Sequence, residues 1–157
     1  MLCLSLLALS GCQTAQTFTT PESNWQTQLG QMHYTTNTGR SVVGEFVARR
    51  SPDGQGFQLQ FSSGPGIPLL KLYESGDTGR AEGLFARGHW QGRIAAAPVP
   101  LRNWMRLREV FGQLRPDQRS LHGPGWTAQA ESANGAVQSL SVSFAQGGER
   151  FAFHFSH

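Results

Sequence analysis

Apolar and polar residues alternate along most of this chain, which is the pattern of half-buried β-strands. The alternation is clearest at 57–61, at 137–144 and from Phe151 to the last residue. Turn signals such as Asn134-Gly135 separate the apolar runs, and the spacing predicts about eight to ten antiparallel strands. The other predicted strands cover 30–36, 41–50, 69–74, 81–87, 90–94 and 125–131, and 117–124 is predicted to be a loop.

One segment has helical rather than strand periodicity. Its apolar residues recur every three or four positions, as on one face of an α-helix: Leu101, Trp104, Leu107, Phe111 and Leu114. Pro100 suits a first helical position, and Arg115-Pro116 ends the pattern. The sequence therefore predicts one main helix over Pro100–Leu114.

The order of elements is an antiparallel meander, one helix and a second meander. Each one-sided strand needs a covering layer, and a single helix covers only part of such a sheet. We therefore expect a mainly β fold with some α, in which a strongly curved antiparallel sheet forms an unclosed β-barrel and the helix covers its open side. A sheet of this shape has an apolar concave face, which suits an acyl chain.

The inward positions of the predicted strands and helix are candidates for lining a hydrophobic cavity. Burying each CH₂ group of an acyl chain is worth about 0.8 kcal/mol, so such a cavity needs no specific polar contact. The same residues could instead fill a closed core, and the pattern leaves both alternatives open. The candidates are Phe46, Phe57, Leu59, Phe61, Leu70, Leu72, Phe85, Trp104, Leu140, Val142, Phe144, Phe151 and Phe153.

The N-terminus carries an apolar run that ends in Leu9-Ser10-Gly11-Cys12 and is followed at once by polar residues. This is the pattern of a bacterial lipoprotein signal, and the run is too short to span a bilayer. We expect residues 1–11 to be a signal peptide, Cys12 to carry lipid that anchors the chain to a membrane, 12–24 to be a flexible tether and 25–157 to be the folded domain. In lipoproteins resembling those of enteric bacteria, a glutamine after the lipidated cysteine, here Gln13, favours the outer membrane. The alternative is a buried N-terminal strand with an incidental cysteine.

Composition and motifs argue against catalysis and cofactors. Cys3 and Cys12 are the only cysteines, so the predicted domain has no thiol for a disulfide, a metal or a nucleophile. The five histidines form no metal-binding pair, and no nucleophile elbow or phosphate-binding loop occurs. The net charge of +3 is small and no long basic run is present, so nucleic-acid binding is not expected. We predict no enzyme, metal or cofactor.

Two stretches carry a resemblance to a known family. Phe57–Leu72 reads FQLQFSSGPGIPLLKL, and Ala97–Leu107 reads APVPLRNWMRL. Together with the Cys12 motif, they resemble the outer-membrane lipoprotein receptor LolB and its relatives. The family's N-terminal helix would correspond to about Ser23–Leu29. The resemblance implies an unclosed β-barrel with helices at its open side.

The same resemblance implies a function at the periplasmic face of the outer membrane. A protein of this family receives acylated lipoproteins from a LolA-type carrier and inserts them into that membrane. The aligned loop is Pro65, Gly66, Ile67 and Pro68, and Ile67 would be the apolar residue that enters the membrane; as an alternative, it packs on the barrel rim. A second function remains open, which is a structural or scaffolding envelope lipoprotein with a filled core and a protein partner.

Overall fold

The computed structural model describes residues 22–64 and 66–157, which form one antiparallel sheet and one α-helix. The ten strands are β1 (Gln26–Thr35), β2 (Ser41–Arg50), β3 (Gly56–Ser63), β4 (Ile67–Ser75), β5 (Thr78–Gly83), β6 (Gly88–Arg93), β7 (Ser120–Gly123), β8 (Trp126–Ala133), β9 (Ala136–Phe144) and β10 (Arg150–Phe155). The helix α1 covers Val99–Gln113, and two short 3₁₀ turns lie at Leu84–Ala86 and Ile94–Ala96. Residues 1–21 and Pro65 lie outside the described residues, and with them the predicted signal peptide, Cys12 and most of the tether.

The strands follow the order β6-β5-β4-β3-β2-β1-β10-β9-β8-β7, and every neighbouring pair is antiparallel. β6 and β7 are the two edges, so the sheet is not closed into a barrel. The predicted fold class, a mainly β protein with an unclosed antiparallel sheet and one main helix, is confirmed. All strand connections but one are hairpins between neighbours; the exception is β6, which leads through α1 to β7. The pairing of β1 with β10 joins the two meanders.

Because the sheet is a meander, its turns alternate between two ends. The turns that follow β1, β3, β5, β7 and β9 lie at one end, which we call the Ile67 end. The turns that follow β2, β4 and β8 lie at the other end, where the chain enters at Trp25; we call this the Trp25 end. All ten strands and the helix lie within residues 26–155, so removal of residues 1–12 takes nothing out of this fold.

The alternation in sequence produces the two faces of the sheet. In β10, Phe151 and Phe153 are buried while His154 is exposed, because successive side chains of a strand point to opposite faces. The same holds in β9 for Leu140 and Val142, which are fully buried. The predicted helical stripe is also buried. The helix and the inner face of the sheet therefore share one core.

Three local predictions were wrong. No helix forms around Ser23–Leu29: Gln26–Leu29 belong to β1, since their backbone pairs with Val47–Arg50 of β2. The predicted strand 81–87 ends at Gly83, whose φ of 112° is in the region that favours glycine, and a 3₁₀ turn follows. The predicted loop 117–124 contains β7, because Leu121 is buried and the segment pairs with β8 along the sheet edge.

Candidate functional site

The helix bridges the gap between the two edges of the sheet. It follows β6 and precedes β7, and its buried residues face the inner side of the sheet. Pro98 stands before its first turn and Pro100 within it, where a missing N–H costs no hydrogen bond. Leu114 then adopts an extended conformation, and the chain leaves the helix just before Arg115-Pro116. The helix thus covers the apolar concave face over a length of 15 residues.

Two aromatic clusters fill the space between the helix and the sheet. The Trp104 cluster lies toward the Ile67 end, with ring centroids 4.7 Å from Tyr34, 4.8 Å from Phe151, 5.7 Å from Phe85 and 5.8 Å from Phe61. The Phe111 cluster lies toward the Trp25 end, with centroids 5.2 Å from Phe153, 5.8 Å from Phe57 and 6.4 Å from Phe46. Most of these rings are tilted or edge-on to one another, as aromatic pairs prefer.

The structure brings all thirteen predicted cavity residues together around this interior. Phe85 is half-buried on the 3₁₀ turn, and the other twelve are buried. Their side chains pack against one another and against the helix. Whether this interior accepts a ligand stays a prediction. The residues are Phe46, Phe57, Leu59, Phe61, Leu70, Leu72, Phe85, Trp104, Leu140, Val142, Phe144, Phe151 and Phe153.

A buried polar network ties the helix to the second meander. Asn103 donates hydrogen bonds to the Gln146 carbonyl at 2.8 Å and to the Glu149 carboxylate at 2.6 Å. Tyr34 of β1 donates to the other Glu149 oxygen at 2.5 Å. Burial raises the pKa of the Tyr34 hydroxyl well above its usual range, and the hydrogen bond to Glu149 adds to the rise. The hydroxyl therefore remains a donor at all ordinary pH values.

A second polar contact ties the helix to the first meander. Arg108 donates to the backbone carbonyls of Gly76 at 2.7 Å and Gln55 at 3.2 Å, and its Nε lies 3.3 Å from the Glu74 carboxylate. Glu74 occupies an inward position of β4, and neither of its oxygens has a hydrogen-bond partner among the described residues. Burial raises the pKa of this carboxyl to about 8, although Arg108 acts in the opposite direction and Glu109 adds to the rise.

A third contact joins the helix to β8. Glu109 accepts a hydrogen bond from the indole of Trp126 at 3.0 Å, and Arg106 donates to the Pro124 carbonyl.

The sequence pattern did not predict any of these three contacts. A signal was present, since Glu74 and Asn103 are polar residues at positions that the periodicity places on the buried side. Such residues need partners inside a protein.

The predicted membrane loop lies at the Ile67 end, between β3 and β4. Gly66, Ile67 and Pro68 are exposed, and Ile67 keeps 63% of its surface accessible. Ile67 is therefore not part of the buried core, and its contact with a membrane stays a prediction beside the alternative of packing on the barrel rim. Pro65 lies outside the described residues.

A cleft of about 350 Å³ opens at the opposite, Trp25 end. Its lining is mixed and includes Trp25, Asp53, Tyr73 and Glu74. Two hydrogen bonds, from the Ser51 hydroxyl and the Gln55 N–H, lower the pKa of the Asp53 carboxyl. Of the predicted cavity residues only Phe57 reaches this cleft, so the cleft is separate from most of the predicted cavity.

The described part of the chain contains neither a metal-ligand cluster nor a helix that could cross a membrane. No group of three His, Cys, Asp or Glu side chains there converges as metal ligands would. Likewise, α1 is neither long nor apolar enough to cross a bilayer, and it is the only α-helix in residues 22–64 and 66–157.

Comparison of the chain with protein-family models and with curated proteins finds no match.

Proposed function

We propose that this protein is a LolB-like, lipid-anchored acceptor, which takes acyl chains of lipoproteins into the interior between helix and sheet and passes them to the outer membrane. The observation that carries the proposal is the shape of the fold. An unclosed sheet presents a largely apolar concave face, and one α-helix covers this face. The family resemblance of Phe57–Leu72 and Ala97–Leu107 points to the same function.

Uptake requires the helix to move, because aromatic and aliphatic side chains fill the interior in this structure. The polar contacts at Asn103 and Arg108 hold the helix on the two halves of the sheet. An entering acyl chain replaces the contacts that the helix gives up, at about 0.8 kcal/mol for each CH₂ removed from water. Lipid on Cys12 keeps the domain beside the membrane that receives the cargo, and a LolA-type carrier is the expected donor.

A displacement assay with a fluorescent fatty acid, on protein lacking residues 1–12, tests the proposal. We expect saturable binding. Asn103→Ala removes one of the helix contacts and should increase the rate of uptake, while Gln113→Ala, at a position outside the buried face of the same helix, should leave it unchanged. Absence of saturable binding by the parent protein would refute the carrier function.

Delivery is tested separately through the exposed loop. Ile67→Glu places a charge where the proposed membrane contact lies, so lipoprotein delivery to liposomes should fall while fatty-acid binding stays intact. Leu29→Glu is the matched control, because Leu29 is also exposed (48%) but lies near the Trp25 end. Equal delivery by the parent and Ile67→Glu proteins would remove Ile67 from the mechanism.

A structural or scaffolding envelope lipoprotein is the second candidate function. The observation that favours it is the filled interior: Phe61, Leu70 and Phe153 have no accessible surface. A stable filled core needs no ligand, and such a protein would act through a partner on its outer surface. It predicts no saturable fatty-acid binding in the assay above, and no change in uptake with Asn103→Ala.

A further inference from the structure

A second exposed apolar side chain stands beside Ile67. Leu84 is 69% exposed on the 3₁₀ turn after β5, and Ile67 is 63% exposed at the start of β4. β4 and β5 are neighbours, and a Cβ atom on Gly83 would lie only 2.7 Å from the Leu69 carbonyl oxygen. Because adjacent strands are about 4.8 Å apart, the backbone at Leu84 and the backbone at Ile67 lie at the same rim within roughly 10 Å of each other.

Basic residues flank this apolar pair. Arg87 ends the turn that carries Leu84, and Arg40 lies on the turn between β1 and β2, on the other side of Ile67 along the rim. Both side chains are exposed, and within 22–64 and 66–157 no ion pair involves them. Arg150, at the start of β10, is a third exposed arginine at this end.

The acidic residues do not offset these charges at the rim. Glu149 is buried and accepts its hydrogen bonds from Tyr34 and Asn103. Glu45 is exposed on the outer face of β2. Glu82, which precedes the Leu84 turn on β5, already pairs with Arg80 at 3.3 Å. Asp53 and Asp77 lie at the opposite, Trp25 end. The Ile67 end therefore combines protruding apolar side chains with unpaired positive charge, which is the chemistry of contact with an anionic bilayer.

We infer that the turn Leu84–Arg87 is a second membrane contact, in which Leu84 enters the bilayer interface beside Ile67 and Arg87 pairs with an anionic phospholipid head group. The inference rests on the proposed function and adds a lipid preference to it. A bilayer fits better than a protein groove, since Ile67 and Leu84 are exposed on separate segments of the rim, at the start of β4 and on the turn after β5.

The proposed anchor is compatible with this orientation. The described chain enters the sheet at the Trp25 end, so the orientation requires that the residues after Cys12 be long enough to reach past the domain. β1 is 10 residues long and spans about 33 Å at strand geometry. The segment from Cys12 to Trp25 can extend to about 45 Å, which is enough for the Ile67 end to face the bilayer that holds the lipid.

Vesicle co-sedimentation of protein lacking residues 1–12 tests the inference. The vesicles contain either phosphatidylcholine alone or one part phosphatidylglycerol to three parts phosphatidylcholine. Leu84→Glu and Leu84→Ser should weaken binding to the mixed vesicles, the former about tenfold. Arg87→Gln should weaken it about fivefold in mixed vesicles and have little effect with phosphatidylcholine alone. Leu29→Glu, near the other end, should bind as the parent does.

Binding of Leu84→Glu and Leu84→Ser at parental strength, or no vesicle binding by the parent, would overturn the inference. Fatty-acid displacement on the same variants separates this failure from failure of the proposed function. If displacement persists while the Leu84 variants bind vesicles normally, only the second membrane contact is wrong. If the parent shows no displacement, the carrier function fails whatever the vesicles show. Loss of lipoprotein delivery with unchanged vesicle binding would assign the surface to a protein partner and also overturn the inference.

Discussion

Glu74 is a buried carboxyl on the inner face of the sheet, and its replacement by glutamine should stabilise the protein at alkaline pH. The side chain is 1% exposed, and its oxygens lie near Arg108 without accepting a hydrogen bond from any described residue. Glu74→Gln keeps the shape of the side chain and removes the charge. Arg108 retains its hydrogen bonds to the carbonyls of Gly76 and Gln55, so the substitution leaves no buried cation unpaired.

The sign follows from where the carboxyl holds its proton. Burial raises the pKa of Glu74 from 4.5 to about 8 in the folded protein. Between these values the folded protein retains a proton that the unfolded chain has released, so stability falls as pH rises through this window. Each pH unit costs up to about 1.4 kcal/mol, so the whole window costs at most about 5 kcal/mol. Glu74→Gln removes this cost.

Urea denaturation from pH 5 to pH 9 measures the effect. The parent protein should lose stability across the window, and Glu74→Gln should reduce that slope, with its largest gain at pH 8 and above. Glu82→Gln is the matched control: its side chain is 42% exposed and also faces an arginine, Arg80, at 3.3 Å, but exposed pairs contribute little. If the unfolding free energy falls as steeply with pH in Glu74→Gln as in Glu82→Gln, the reasoning is refuted.

Three further substitutions test the packing, each by urea denaturation. Phe153→Ala should cost about 3–5 kcal/mol, because it leaves a cavity under the helix, whereas His154→Ala, on the exposed face of the same strand, should cost less than about 0.5 kcal/mol. Gly44→Ala should cost more than about 1 kcal/mol, since its Cβ would overlap the Ser62 carbonyl oxygen; an unchanged midpoint would contradict the close strand approach. Asn103→Ala should cost about 1–3 kcal/mol through its lost buried hydrogen bonds, and a loss within experimental error would mean that this contact does not hold the helix.

Local periodicity was enough to predict most of the elements. The alternation at 137–144 and at 151–155 became β9 and β10, and the stripe from Leu101 to Leu114 became the buried side of α1. These predictions succeed because a residue's face depends only on the repeat of its own element. The errors at 23–29 and 117–124 arose where pairing with the following strand of a hairpin decided the conformation.

The candidate site was predictable only in part. The apolar residues of the interior carry a repeating pattern, so their shared face follows from the spacing alone. The contacts that hold the helix do not, because Asn103 meets Glu149 and Arg108 meets Glu74 across long stretches of chain. Leu84 and Ile67 are likewise separated in sequence, and only the pairing of β4 with β5 brings them to one rim.

By itself the sequence determined that this chain builds a one-sided antiparallel sheet with one amphipathic helix, since apolar spacing within each element sets its type and its buried face. Tertiary structure alone decided that β1 pairs with β10, so that the two meanders form a single sheet whose edges the helix bridges. It also decided which polar residues hold that helix and which side chains project at the Ile67 end. Pairing between distant strands and the burial of charge depend on contacts that no local repeat encodes.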